Sequence, residues 1–557
     1  MATASGWASR ISTPEPFATP RLGRLGAGPW PPGSHMLAAM SAPTPTLPLS
    51  SGDLEHDRLS GARGPAPASS AVIAAVIVVL ILSAAVRLYE LQQPRGLVFD
   101  EVFYAKDAHA ILHGYLGPNP LYPWEPGAEV SWPHPEYGKL AIALGEAFFG
   151  DVAFGWRIAP ALIGTLLLAL VYPLGRRLGL APPWALLGLI LAASDFMGIV
   201  QSRIAMLDIF VAFWSLLCIF LALRYVQSGH RRRWLLLCGL AGGLALGTKW
   251  SGAFALAAAA AIILLYRRRP WQRPATAAVR QALRDLVLPA AALVALPAAL
   301  YVASYTVYFM KGHHTLAQWW QLQHEMWWFN AHLHAANGAA SRAYLWIFDD
   351  GGIWYLDKQS GGGVHAIVSM GNPLLWWAAL PALIALAVLA IVRRERELAL
   401  LPLIVALLYL PWPGTTRTSF IYYMTPVAPF LALAVAMVLR GLSHAQLPRR
   451  RWAALCYAAT AGAGLLWHPI TAAAVWLFWR LAAQTSLDLA RAMLAAFAML
   501  FACGLLAFVL RLRGRMWPYL TWVYAGAVTG VCLACLPILL GLPIPAALFH
   551  QLTWFGR

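Results

Sequence analysis

In the stretch "RGLVFDEVFYAKDAHAIL", residues 95–112, Asp100 and Glu101 stand side by side just past the first strongly apolar segment of the chain. Adjacent carboxylates there could be a solvated loop, a cation site, or a catalytic base with a helper. Farther along, Lys139, Arg157, Arg203, Lys249 and Arg417 lie singly at the ends of apolar segments. Ionisable residues at membrane depth are costly and tend to face a cavity or a partner. Lysine is a compact charge and arginine a two-pronged donor to phosphate oxygens, so this set suits an anionic group near an interface. If that group were the phosphate of a polyprenyl-linked sugar, neutralising it would already make it a good leaving group. A dedicated acid is then unnecessary, unlike glycoside hydrolysis with its carboxylate pair. One carboxylate is enough to take the proton from an attacking hydroxyl, and Asp100 is well placed for that. The competing structural reading pairs each cation with a nearby acid. Asp208, one turn beyond Arg203, is as suited to hold that arginine as to touch substrate. Asp195 has the same ambiguity, and His134 is either a substrate contact or a satisfied loop histidine.

Membrane spans must position these groups. The 557-residue chain is 60% hydrophobic and only 11% charged, with a mean hydropathy of +0.62. Soluble domains are about a quarter charged, so the composition describes an all-α polytopic membrane protein. Its 26 tryptophans and 19 tyrosines suit many helix ends meeting two interfaces. The net charge of +18 does not signal nucleic acid, because the arginines fall in short clusters between apolar segments. Those clusters include Arg176-Arg177, Arg231–Arg233, Arg267–Arg269, Arg393-Arg394, Arg449–Arg451 and Arg511/Arg513/Arg515. Placing them all in the cytoplasm puts the N-terminus inside and predicts about 11–13 alternating transmembrane helices. The segment 470–486 then lies in an interface or re-enters.

Two large loops, 92–152 and 310–370, fall on the outer side as a result. The five isolated cations fall on that side too, where the orientation rule would exclude them. The domain plan is a disordered Pro/Ser/Gly/Ala-rich region over 1–69, a transmembrane module over 70–309, the outer loop 310–370, and a second transmembrane module over 371–557. Met36 and Met40 are alternative starts. The loop 310–370 contains "HTLAQWWQLQHEMWWFNAHLH", whose paired tryptophans recur at helical spacing and predict an amphipathic helix on the outer leaflet. It is an aromatic anchor or a lid over substrate. All six cysteines lie in or beside apolar segments, so neither a disulfide framework nor a thiolate metal site is expected; Cys532-x-x-Cys535 reads as small core residues.

The ordered motifs resemble the protein O-mannosyltransferases, dolichyl- or polyprenyl-phosphate-mannose dependent, and particularly their bacterial members. "VFDEVFYAKDA" looks like that family's Asp-Glu motif, and "HPEYGKLAIALGEAFFG" is similar to its His-Pro-Pro-Leu-Gly-Lys stretch. "FGWRIAPALIGTLLLALVYPLGRRL", "SDFMGIVQSRIAMLDIF" and "GLALGTKWSG" follow in the family's order, then "GNPLLWW" and "RTSFIYYMTPVAPFLAL". The likeness runs from about 71 to 440 and returns at 536–545, leaving 452–515 without an evident counterpart. Glu136 and Tyr137 replace the family's second proline and leucine. The loop 310–370 is too short for the β-trefoil domain of the eukaryotic enzymes.

The resemblance implies a C-type (GT-C) glycosyltransferase fold in the cell membrane. It implies transfer of mannose from polyprenyl-phosphate-mannose to Ser or Thr hydroxyls of secreted proteins, by a single inverting displacement. Asp100 would be the base, and Glu101 would orient the acceptor or balance charge. Lys139, Arg157, Arg203, Lys249 and Arg417 would contact phosphate or build the site; Tyr423 would pack donor or lipid, with His134 and Asp208 as further substrate contacts. No cofactor is required, because the family is regarded as metal-independent, although Asp100, Glu101, Asp107 and His109 could hold a divalent cation. His332-x-His334 lacks a third ligand nearby. The alternatives are a related transferase, such as one moving 4-amino-arabinose to lipid A or a sugar to a wall glycan, and a lipid-linked-sugar transporter.

Overall fold

The computed structural model describes residues 67–113, 133–266, 287–333, 340–360, 363–444, 517–546 and 549. In chain order its principal helices begin with α1 (Ser70–Leu88), α2 (Glu101–His113), α3 (Tyr137–Phe149), α4 (Ala153–Arg177) and α5 (Pro182–Ala193). They continue with α6 (Phe196–Gln201), α7 (Asp208–Gln227), α8 (Arg232–Leu246), α9 (Ala253–Leu265) and α10 (Leu296–Ser304). The last are α11 (Leu316–His332), α12 (Pro373–Arg393), α13 (Arg396–Tyr409), α14 (Ala428–His444) and α15 (Trp517–Leu540). Three strands join them: β1 (Ile353–Ser360), β2 (Gly363–Ser369) and β3 (Pro543–Pro545).

Six described stretches are long and apolar enough to cross a membrane: α1, α4, α7, Val287–Ser304, α12 and Thr521–Leu540. Pro182–Ala193, Trp250–Leu265 and Ala428–Ser443 are shorter apolar helices. The chain is a multi-pass membrane protein, since a helix satisfies its own backbone where water is absent. The segments expected at 452–469, 470–486 and 487–510, and the N-terminal residues before 67, lie outside the described residues.

Local chemistry sets many helix starts. Ser69 accepts from the Val72 amide at 3.4 Å to cap α1, and Pro182 and Pro373 occupy first-turn positions that need no amide donor. Thr315 and Gln318 form a reciprocal capping box on α11. Hydropathy alone does not rank the spans, but burial does. Within its apolar window α7 is 72% buried and α1 only 11%, so α7 is central, while α1 turns Ile77, Ile81 and Leu82 outward. Helices α3 and α4 cross closely: a Cβ added to Gly145 would stand 2.4 Å from the Gly155 carbonyl oxygen. Small residues are what permit such an approach.

The segment between α10 and α12 holds two kinds of structure. Helix α11 is there, with Leu322 and Met326 buried and Trp320, Trp327 and Trp328 exposed; Trp319 leans on Tyr301 and Tyr305. After it comes a hairpin absent from the sequence-based expectation. Strands β1 and β2 pair antiparallel with Ile353 opposite Ser369, and an irregularity falls between Trp354 and Leu356. Strand β3, from the far end of the chain, adds to β2 with Val364 opposite Ile544. The membrane part is thus all-helical, and a three-stranded sheet sits beside it.

Candidate active site

Asp100 and Glu101 open α2 but face different surroundings. Phe99 before them has φ 50°, a left-handed conformation unusual for a bulky residue. Its ring is held by stacking on Tyr355 of β1, centroids 4.2 Å apart, and edge-on against Tyr422. The Asp100 carbonyl accepts from the Phe103 and Tyr104 amides, tying its backbone to the first turn of α2. Its carboxylate is half-buried, and the Tyr422 hydroxyl donates to Oδ2 at 3.4 Å. Withdrawal from bulk water, with Asp208 adding to it, pushes the Asp100 carboxyl up to about 7 against the opposing pull of Lys249 and the Tyr422 hydroxyl. That is the range in which a carboxylate serves as a general base at neutral pH.

Glu101 is fully buried and saturated. Arg157 donates to both its oxygens, Nε to Oε1 and Nη2 to Oε2, each at 2.7 Å. The Val98 and Ala205 amides add bonds of 2.8 and 2.9 Å. Arg157 spends its other donors on the carbonyls of Leu91, Pro94 and Gly96. This pair therefore braces the turn that carries Asp100, and neither partner faces an open site.

The remaining expected cations divide by environment. Arg203 donates to the carbonyls of Val86, Arg87 and Tyr89 at the end of α1, and more weakly to Glu90 and Leu540. That is helix-end capping, not anion binding. Lys139 is fully buried, 2.7 Å from Asp107 Oδ2. Lys249 donates to both oxygens of Asp208, each at 3.0 Å. So Asp208 holds Lys249; of the two sequence alternatives, holding Arg203 or touching substrate, the first is not what the structure shows. The Lys249 ammonium also lies 4.5 Å from the Tyr423 ring centre and 5.5 Å from that of Tyr422, a cation–π arrangement.

Arg417 is half-buried. It donates to Asn330 Oδ1 on α11 and, at 3.3 Å, to the Tyr423 hydroxyl. Tyr423 is itself stacked on Trp412. His134 is half-buried near Tyr104, ring centroids 6.2 Å apart. Burial, then Lys249, Lys139 and Arg417, hold its imidazole well below the usual histidine range, hence neutral at pH 7. Asp195 caps α6 by accepting from Gly198, and also accepts from the Asn372 amide and Trp376 Nε1; it serves the fold.

Around Asp100 the structure gathers Tyr422, Lys249 with Asp208, Tyr423, Arg417 and, through its electrostatic reach, His134. It disperses the cation cluster considered from sequence, since Glu101 is bound to Arg157, Asp107 to Lys139, and His109 to Glu146. His334 lies outside the described residues. Sequence reasoning missed Tyr422, although it sits beside Tyr423 in "FIYYM". It also missed Asn330 and Tyr355, whose roles depend on a helix and a hairpin remote in sequence.

Comparison with known proteins places two family models in succession on the chain. Dolichyl-phosphate-mannose-protein mannosyltransferase matches residues 77–313, and the C-terminal four-transmembrane region of protein-O-mannosyltransferase matches 315–486. The second match runs past the end of the motif likeness, near 440, into the segment 452–515 without an evident counterpart. A polyprenol-phosphate-mannose–protein mannosyltransferase of Mycobacterium tuberculosis is 28% identical over 441 residues, 67% of this chain and 82% of that relative. An undecaprenyl phosphate-alpha-4-amino-4-deoxy-L-arabinose arabinosyl transferase of Pseudomonas aeruginosa is 34% identical over 222 residues, 39% of each chain. The solved S. cerevisiae protein O-mannosyltransferase Pmt1–Pmt2 complex bound to the sugar donor aligns with a TM-score of 0.65 at 12% identity, over 88% of this chain and 93% of that one. It shares the fold.

Proposed function

Because the chain belongs to the dolichyl-phosphate-mannose–protein mannosyltransferase family, we propose that it moves mannose from a polyprenyl-phosphate-mannose donor to Ser or Thr hydroxyls of secreted proteins. The reaction takes place on the outer face of the cell membrane, opposite the basic clusters. Asp100 takes the proton of the acceptor hydroxyl as its oxygen bonds to the sugar's anomeric carbon. The bond from that carbon to the phosphate oxygen breaks in the same step, and polyprenyl phosphate leaves with the electron pair. Attack from the far side inverts the anomeric centre.

The observation that carries this reading is the contrast between the two acids. The Glu101 carboxylate accepts four hydrogen bonds from protein, whereas the Asp100 carboxylate accepts one long one among the described residues, from Tyr422. Lys249 and Arg417 neutralise the donor phosphate, Tyr423 packs between them, and neutral His134 offers a contact to the sugar or acceptor. Arg157, Arg203 and Lys139 build the site from behind.

Transfer from polyprenyl-phosphate-mannose to a Ser/Thr-rich peptide tests the proposal. Asp100→Asn is expected to lose at least about a hundredfold in rate while still binding donor; full activity in that variant overturns the assignment of the base. A transferase for another lipid-linked sugar is the second reading, favoured by the 34% identity to the arabinosyl transferase. The match of 315–486 to the mannosyltransferase C-terminal region weighs against it. Transfer of aminoarabinose but not mannose would reverse that judgement.

A further inference from the structure

The outer end of the α2–α3 pair carries a second cluster, separate from Asp100. His109 and His113 are one turn apart on α2 and share a face, their rings stacked with centroids 4.1 Å apart. Near the end of α3, Glu146 brings Oε1 to 2.5 Å from His109 Nδ1. Asp151, just past α3, brings Oδ2 to 3.5 Å from the same nitrogen. Asp151 Oδ1 accepts from Trp156 Nε1 at 2.7 Å, which orients the carboxylate. His113 Nδ1 bonds to the His109 carbonyl at 2.9 Å; that bond fixes the proton on Nδ1 and leaves the Nε2 lone pair for a ligand.

Glu146 supplies an independent sign of a missing partner. It is 3% exposed, and its Oε2 is buried without a hydrogen-bond partner. A buried carboxylate oxygen with nothing to accept from is costly, and this one lies beside the oxygen already in the cluster. The close α3–α4 crossing at Gly145 and Gly155 holds the neighbouring Glu146 in place.

We propose that His109, His113 and Glu146, assisted by Asp151, bind one divalent transition-metal ion of the zinc class. One ligand atom from each of His109, His113 and Glu146 lies within 4.8 Å of the others. Ligands about 2.0–2.2 Å from a tetrahedral ion stand nearer to one another than that, and a small shift of the exposed His113 side chain that keeps its bond to the His109 carbonyl closes the difference. Two imidazoles with carboxylate oxygen select zinc-like ions over magnesium or calcium. The ion would replace the proton shared by His109 and Glu146 and give Glu146 its counter-charge. It would staple α2, which begins beside Asp100, to α3, which carries Lys139. The role is structural: the ion stands outside the transfer chemistry.

The test uses full-length protein in detergent, stripped with a chelator, titrated with Zn2+, desalted and assayed for bound metal and for its unfolding midpoint. Wild type is expected to retain one equivalent more than His113→Ala and to gain thermal stability that Mg2+ does not give. The zinc affinity of His113→Ala is expected to fall by at least about tenfold. His113 is exposed, so this variant folds; Glu146→Gln should lose the same equivalent, and His324→Ala on α11 should keep it. Equal zinc content and equal stabilisation in wild type and His113→Ala overturn the proposal, as does a wild type that retains none.

Discussion

At the scale of single residues, the proposed base is the carboxylate at position 100, and its acidity governs the expected pH dependence. Burial raises it to about 7, and the base works only when deprotonated. kcat/KM for mannosyl transfer is therefore expected to rise through an apparent value near 7 and to level above it. The Tyr422 hydroxyl stabilises the ionised form, so Tyr422→Phe should raise the carboxyl further and move that acid limb to higher pH. A pH–rate profile of the two proteins measures this; a profile unmoved by the substitution removes Tyr422 from the base's environment. The five isolated cations were legible in the sequence as a set, but not their separate surroundings. Each is a lone charge beside an apolar run, and what distinguishes them is a partner distant along the chain. Arg157 finds Glu101, 56 positions away, and Lys249 finds Asp208, 41 positions away. Lys249→Gln and Arg203→Gln should consequently differ: the first raises KM for the lipid donor, while the second lowers the thermal midpoint. Donor titrations and melting curves on the same preparations separate the two effects.

At the scale of elements, the turn between α1 and α2 is a rigid seat. Its carbonyls are gathered by Arg157, and Glu101 locks the first residue of α2 against the Ala205 amide. Glu101→Ala would leave a buried guanidinium without its carboxylate, which costs on the order of 3–5 kcal/mol. Differential scanning of detergent-solubilised protein should show a large fall in the midpoint, and an unchanged midpoint would mean that the brace is dispensable. The helices were readable from hydropathy because a span is a long, uniform signal. The hairpin was not, although "IWYLDKQSGGGVHAIVS" sets two β-rich runs on either side of three glycines. A window tuned to spans averages two short strands with the polar loop around them. The hairpin nonetheless brings Tyr355 against Phe99, next to Asp100 in the chain. Its third strand adjoins the last described span, a pairing that no local pattern encodes.

At the scale of the whole molecule, orientation decides which pool of hydroxyls the site can meet. With the basic clusters inside, a cysteine introduced as Asp350→Cys should react with a membrane-impermeant maleimide on intact cells, and one introduced as Arg232→Cys only after lysis. The opposite pattern inverts the proposed topology. Mass spectrometry of secreted proteins from cells with and without the enzyme should show loss of hexose on Ser and Thr; unchanged hexosylation points to a non-protein acceptor. The pairing of β3 with β2 also joins distant parts of the chain. Helix α15 is tied to earlier segments through Asn372 and the Val528 carbonyl, and through Arg203 and the Leu540 carbonyl. The sheet that supports Phe99 takes its third strand from residues 543–545, remote in sequence from the other two. The seat of Asp100 thus draws on segments far apart in the chain: Phe99 leans on Tyr355 of β1, β1 pairs with β2, and β2 is flanked by β3.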